Sequence, residues 1–273
     1  MLNLVKMDLY RFFHSKVFKG GLIAAAIVAF LGMLLNLAIL EILKLGLQDD
    51  PSGTESMAVI FPIISWLNGV DFADVVFVGT GTLSLLVSCM MVASFVGAEQ
   101  SCGYVKNIAG QLKNRGMTVV SKFIVTCFIQ LLVLVVYAII SSIAGVLFFS
   151  SYIESYSIGV MIEGLLIRFL LFGAIDAIVL FFCTLTKKHT ISMVIGAILG
   201  VGVTNILYLA INALLGMIKI TVNVANFMPD GINGLINVAN LGTIAVKAIV
   251  ISLVFIAGFL IGAVMLFKKR DVK

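Results

Sequence analysis

Val119 to Phe149 reads VVSKFIVTCFIQLLVLVVYAIISSIAGVLFF, an apolar run whose one charge, Lys122, stands near its start. A bilayer core of about 30 Å needs about 20 apolar residues in a helix rising about 1.5 Å per residue. This run exceeds that length, so it is expected to tilt or to extend into the interface. A barrel strand would alternate apolar and polar residues over about ten positions, whereas this segment is continuously apolar. It reads as a membrane-spanning helix. Outward from it, comparable runs occupy 20–40, 75–97, 160–185, 191–217 and 243–267, which brings the expected spans to six. The composition agrees, with 62% hydrophobic and 11% charged residues and a mean hydropathy of +1.20. The connections are too short for a soluble domain, so the sequence predicts an all-α integral membrane protein with one transmembrane domain over 1–273.

The net charge of +5 raises the question of nucleic acid, and the placement of the charges answers it. Lys6, Arg11, Lys16 and Lys19 precede the first span, and Lys106, Lys113, Arg115 and Lys122 lie between the second and third. Lys187 and Lys188 separate the fourth and fifth, and Lys268, Lys269, Arg270 and Lys273 follow the sixth. Basic residues on alternate connections place both termini in the cytoplasm by the positive-inside rule, in a multi-pass protein of the cell membrane. Acidic residues, among them Glu41, Asp71, Asp74, Glu154 and Asp230, gather on the other side. The expected partner of this charge pattern is the lipid bilayer and not a nucleic acid.

Residues 1–19 carry Leu2, Val5, Leu9, Phe12 and Phe13 at helical spacing, with Lys6, Arg11, His14 and Lys16 largely on the other side. An amphipathic interfacial helix is expected there. The apolar run after it continues through Leu40, so the first span is expected to stay attached rather than be cleaved. Residues 41–74 start polar and turn apolar around Trp66, which suits a segment at the headgroup level. Residues 219–241 interleave apolar residues with Asn, and two short re-entrant or interfacial helices joined at a Pro229-Asp230-Gly231 turn are expected before the last span. Gly196/Gly200 and Gly258/Gly262 form small-xxx-small patterns that allow close helix packing, including at a dimer seam. Cys89, Cys102, Cys127 and Cys183 form no CxxC pair, so neither a disulfide framework nor a zinc site is expected.

There is no GxxxxGK[ST] phosphate loop, and Gly79-Thr80-Gly81-Thr82 lies inside the second span without a βαβ context. The only histidines, His14 and His189, belong to no HExxH. No catalytic, cofactor-binding or metal site is expected in this chain. Glu163, Arg168 and Asp176 are the charges within the fourth span, and each costs about 2.5–3.5 kcal/mol facing lipid. They are therefore expected to face other helices, a partner or a wet cavity, with Arg168 and Asp176 within roughly 80° of each other around the helix. The bland alternative is a buried polar contact, or Arg168 reaching outward beside Glu163.

The stretch between the second and third spans, EQSCGYVKNIAGQLKNRGMTVVSK from Glu99 to Lys122, holds Glu99 at the membrane boundary, Gly103, Lys106-Asn107, a short amphipathic segment with Lys113, then Arg115 and Lys122. Here the chain resembles the ABC type-2 exporter permeases. Their first cytoplasmic loop runs Glu, Gly-Thr, Lys-Asn, a short helix, Ser-Arg and a Lys opening the next span. Tyr104 and Asn114 depart from that pattern where Thr and Ser are usual, while the spacing is kept. The resemblance extends over the whole chain, from the amphipathic leader to the basic end Phe267-Lys268-Lys269-Arg270-Asp271.

That resemblance implies a cytoplasmic coupling helix within 98–118 that seats on a separate cytosolic ABC ATPase subunit. Glu99, Gly103, Lys106, Asn107, Lys113, Arg115 and Lys122 would be its coupling residues. It implies two ATPase copies binding ATP and Mg, a second permease copy or paralogue, and export of a hydrophobic or amphipathic substrate such as a bacteriocin or lantibiotic peptide. Two other readings fit the residues: an ion-coupled secondary transporter or channel using Arg168 and Asp176, and a non-transporting membrane sensor whose inner loop docks a cytosolic protein.

Overall fold

The computed structural model describes residues 2–49, 69–101, 116–186, 189–218 and 223–269. The chain opens with α1 (Leu2–Phe13) and α2 (Lys16–Asp49), then a two-residue strand β1 (Val70–Asp71), α3 (Phe72–Gly79) and α4 (Thr82–Ser101). There follow α5 (Gly116–Phe148), strand β2 (Ile153–Ser155), α6 (Ile158–Thr186), α7 (His189–Val201) and α8 (Thr204–Met217). A 3₁₀ turn at Val224–Phe227, α9 (Pro229–Asn233) and α10 (Leu241–Lys269) complete it.

The chain is an all-α protein of the membrane class. Four helices, α2, α5, α6 and α10, are singly long and apolar enough to cross a bilayer, and α3 with α4 forms a fifth crossing of 27 residues. Helices α7 and α8 make a sixth crossing if the pair, bent by 64°, is taken as one span. The five crossings fall on five of the expected runs, and the bent pair falls on the remaining one, 191–217. The bend has a local cause. Gly202 follows the end of α7 with φ +79°, a left-handed conformation that stops a helix and costs glycine little.

Burial divides the spans into centre and rim. In α3–α4 and α6, 67% and 61% of the apolar window is covered by protein, against 22% in α2 and 11% in α10. The continuous hydrophobicity of the rim helices is thus spent on an outward apolar face, as in Ile23, Ile27, Leu31 and Leu35 of α2 and Val246, Val250 and Leu253 of α10. The centre is packed closely. A Cβ on Gly200 would stand 2.5 Å from the Leu86 backbone, and one on Gly196 3.1 Å from the Cys89 carbonyl. The first small-xxx-small pattern therefore serves packing of α7 on α4 within the chain. In the second pattern Gly262 meets Phe181, while Gly258 faces open space.

The bundle has two ends. At the near end α1 docks beside the last turns of α4 and the first turns of α5. At the far end β1 and β2 pair in parallel, Val70 with Ile153 and Asp71 with Ser155. Glu41, Asp71, Asp74, Glu154 and Asp230, grouped by sequence position alone, fall at or beside this far end.

The segment before the last span differs in one detail from expectation. Pro229-Asp230-Gly231 is not a turn between two helices but the first turn of α9, with Pro229 at the position where a missing N–H costs nothing. Gly231 is required there because a Cβ would run into the Ala225 carbonyl. Asp230 ties this element to the broken span, accepting from the Tyr208 hydroxyl at 2.7 Å and from the Thr204 hydroxyl.

Candidate functional site: a near-end collar and a far-end cavity

Two constellations of polar and aromatic side chains stand out, one at each end. At the near end, the amphipathic helix α1 does more than lie at an interface. Phe12 is fully buried, with its ring centroid 5.6 Å from Phe95 of α4 and 5.3 Å from Phe18 of α2, both edge-on. Phe13 meets Phe128 of α5 at 5.7 Å, and the Arg11 guanidinium lies 5.5 Å over the Phe95 ring. Asp8 is buried and accepts a hydrogen bond of 2.8 Å from Ser121 of α5. The break between α1 and α2 is set by Ser15, whose hydroxyl caps α2 by accepting from Phe18 N at 3.2 Å and donates to the Phe12 carbonyl at 2.7 Å. A collar of one helix thus grips α4 and α5 where they leave for the connecting loop.

Of the residues expected to couple to an ATPase, Gly103, Lys106, Asn107, Lys113 and Arg115 lie outside the described residues, as does the expected coupling helix. Glu99 falls in the last turn of α4, and nothing is described of its side chain. Lys122 is described and is not a surface group: it is buried in the first turns of α5, within electrostatic reach of Asp8 and Arg11. Its place is in the collar and not on a face open to a partner. The signal for Asp8 was available, since it is the one acid among the basic residues of the leader, but its burial depends on how α1 is rotated.

At the far end the decisive feature is the break at Thr80-Gly81, between α3 and α4. In an unbroken helix the Phe77 carbonyl would accept from Gly81 N; here Gly81 N turns to Val78 O at 3.3 Å instead. Arg168 of α6, buried to 3% exposure, fills the vacancy by donating Nη1 to the Phe77 carbonyl, and also to Thr80 Oγ1 at 2.6 Å. Its guanidinium lies 5.2 Å over the Phe77 ring. A cation at the C-terminal end of α3 is favoured by the helix dipole and by the orphan carbonyls there. Ser84 completes the repair by donating to Thr80 O at 2.7 Å and Gly81 O at 2.9 Å. The Gly79 to Thr82 run is thus a packing feature, as read from sequence, and also a helix break that Arg168 closes; at Gly79 a Cβ would collide with Ser141.

The other two charges of α6 go elsewhere. Glu163 is exposed in the second turn of the helix, not turned toward other helices as expected. Asp176 is fully buried within electrostatic reach of Cys89 of α4 and Cys127 of α5. Neither of its oxygens has a hydrogen-bond partner among the described residues. Arg168 and Asp176 therefore form no pair: one faces α3, the other α4 and α5, about 12 Å apart along the helix.

Beside Arg168 opens a cavity of about 540 Å³. Asp74, Phe77 and Val78 of α3 and Gly81 of the break line it, and Asn36 of α2 and Asn233 and Asn237 around α9 add polar groups to the lining. Asp74 Oδ1 accepts from Val238 N at 2.8 Å, fastening the stretch between α9 and α10 to α3. Asp71, at the rim, caps α3 through Ala73 N at 2.8 Å and accepts from the Ser155 and Ser157 hydroxyls at 2.6 and 2.7 Å. Partial burial alone would raise its pKa, but the hydrogen bonds from Ser155, Ala73 and Ser157 outweigh that and hold the carboxyl below the usual carboxylate value. Among the described residues no group of three His, Cys, Asp or Glu side chains is placed to hold a metal ion, and Cys89, Cys127 and Cys183 are free thiols.

No family model matches this chain, and no curated protein matches it in sequence.

Proposed function

We propose that this chain is the membrane-spanning permease subunit of an ATP-driven exporter of the ABC type-2 kind, with ATP bound and hydrolysed by a separate cytosolic subunit. The observation that carries the reading is the near-end collar. Helices α4 and α5 flank the basic loop of 102–115, and both are clasped by α1 through Phe12, Phe13, Arg11 and Asp8. A push on that loop by a closing pair of ATPase subunits would move α4 and α5 together rather than splay them. In the fold, α4 continues through the Thr80-Gly81 break into α3, so the displacement would reach the far-end cavity. The apolar outer faces of α2 and α10 suit a hydrophobic or amphipathic cargo and a second permease copy, in line with the peptide-export branch that the loop resembles.

Affinity purification of the tagged chain from native membranes should bring down a Walker-motif ATPase, and the reconstituted complex should hydrolyse ATP faster when an amphipathic peptide is added. Glu99→Ala, or an insertion after Gly110, should leave hydrolysis intact and abolish export. Full coupling in both variants, or the absence of any ATPase from the complex, would remove the reading.

One observation favours a second reading. Asp176 is a carboxyl deep in the central helices without a hydrogen-bond partner among the described residues, as a proton- or sodium-coupled carrier would need. Flux that follows a proton or sodium gradient without an ATPase, and that is lost in Asp176→Asn, would select it.

A further inference from the structure

The far-end cavity holds opposite charges that do not neutralise each other directly. Asp74 and Arg168 both line it and lie within electrostatic reach, yet they form no ion pair. Each has spent part of its hydrogen-bonding capacity on the protein. Asp74 Oδ1 takes Val238 N, while Oδ2 has no donor among the described residues. Arg168 spends Nη1 on the helix break, whereas its buried Nε has no partner among the described residues. Asn233, 4% exposed and lining the same cavity, has no partner for Oδ1 among the described residues. Asp71, by contrast, is fully occupied by Ala73, Ser155 and Ser157 and acts as scaffold.

Buried polar groups left without partners cost free energy, and their clustering on one cavity wall is what a ligand site looks like when empty of protein partners. A volume of about 540 Å³ falls within the range of small-molecule sites. An anion alone would meet the Asp74 carboxylate, and a cation alone would meet the Arg168 guanidinium. A molecule carrying both charges satisfies both. We propose that this cavity binds a zwitterion, its phosphate or carboxylate on the unused N–H groups of Arg168 and its ammonium shared by Asp74 Oδ2 and Asn233 Oδ1. The chemistry belongs equally to the headgroup of a zwitterionic lipid and to a free zwitterion. The assignment stands whether or not an ATPase drives the chain.

The test uses the purified full-length chain. By calorimetry in detergent, O-phosphoethanolamine should bind at least about tenfold more tightly than either inorganic phosphate or ethanolamine, since each of those engages one charge and repels the other. Asp74→Asn keeps an acceptor for Val238 N and should erase that advantage, leaving phosphate bound at least as well as before. The ligand series on the unaltered chain decides the matter even if the variant does not fold. In nanodiscs of phosphatidylethanolamine and phosphatidylglycerol, native mass spectrometry then assigns the source. Retention of phosphatidylethanolamine that is lost in Asp74→Asn makes it a headgroup site; O-phosphoethanolamine binding without lipid retention makes it a site for a free zwitterion. Phosphate binding as tightly as O-phosphoethanolamine, an unchanged preference in Asp74→Asn, or no binding of any zwitterion in either format would overturn the proposal.

Discussion

The near end of the bundle is held by rings, the far end by carboxylates. Around α1 the contacts include edge-on phenylalanines at 5.3–5.7 Å and a hydrogen bond that buried Asp8 accepts from Ser121. Around α3 and α9, Asp71 accepts from Ala73 of α3 and from Ser155 and Ser157, Asp74 from Val238 between α9 and α10, and Asp230 from Thr204 and Tyr208 of α8, while Arg168 bridges α6 to the end of α3. Burial of apolar surface tolerates small sliding because it is non-directional, whereas hydrogen bonds in a poorly hydrated place lose most of their value when misaligned. On the proposed reading the near end would shift as a unit and the far end would keep its shape. That difference suits force entering at one end and recognition at the other.

The comparison breaks most visibly at Phe12. Phe12→Ala should cost about 3–5 kcal/mol of α1 docking, as removal of a fully buried ring does. Hydrogen exchange should then rise through Leu2–Phe13 while α6 stays protected; unchanged protection of α1 would show that the collar is not held by its rings. At the far end, Arg168→Gln should cost about 1–3 kcal/mol, the range for leaving a buried acceptor such as the Phe77 carbonyl poorly paired. The expected readout is faster exchange at the Thr80-Gly81 break with α1 unaffected, and equal loss at both ends would erase the distinction drawn between them.

The smallest effect sharpens the contrast by pH. Asp71 has a folded-state pKa below its unfolded value, so its stabilisation is present above the unfolded value and is lost as pH falls through the folded one. Asp71→Asn keeps an acceptor for Ala73 N but loses the charged acceptor of the Ser155 and Ser157 hydroxyls, which should cost about 1 kcal/mol at neutral pH and should flatten the acid limb of the melting curve below about pH 4. An acid limb of the same steepness in the variant would assign it to other carboxylates.

The spans were legible because each apolar run satisfies the bilayer by its own length, with no need of a neighbour. The leader helix was legible for a similar reason, through the spacing of Val5, Leu9 and Phe12. The site was not. Asp74 and Asn233 stand far apart in the chain and look like ordinary polar residues of outer connections; they meet only because Val238 N binds Asp74 and Gly231 lets α9 close on Ala225. Arg168 was visible as a costly charge, but its partner was invisible because the Phe77 carbonyl is free only once the helix breaks at Thr80-Gly81.

What the sequence determined by itself is the class of solvent around each segment, because transfer into lipid is a property summed locally along a run of side chains. What only the tertiary structure decided is which polar atom answers which: Arg168 to a helix end, Asp176 to none among the described residues, Lys122 to the collar. Those outcomes depend on the rotation of each helix and on where one stops, and a rotation of a few tens of degrees exchanges every partner while leaving the hydropathy unchanged.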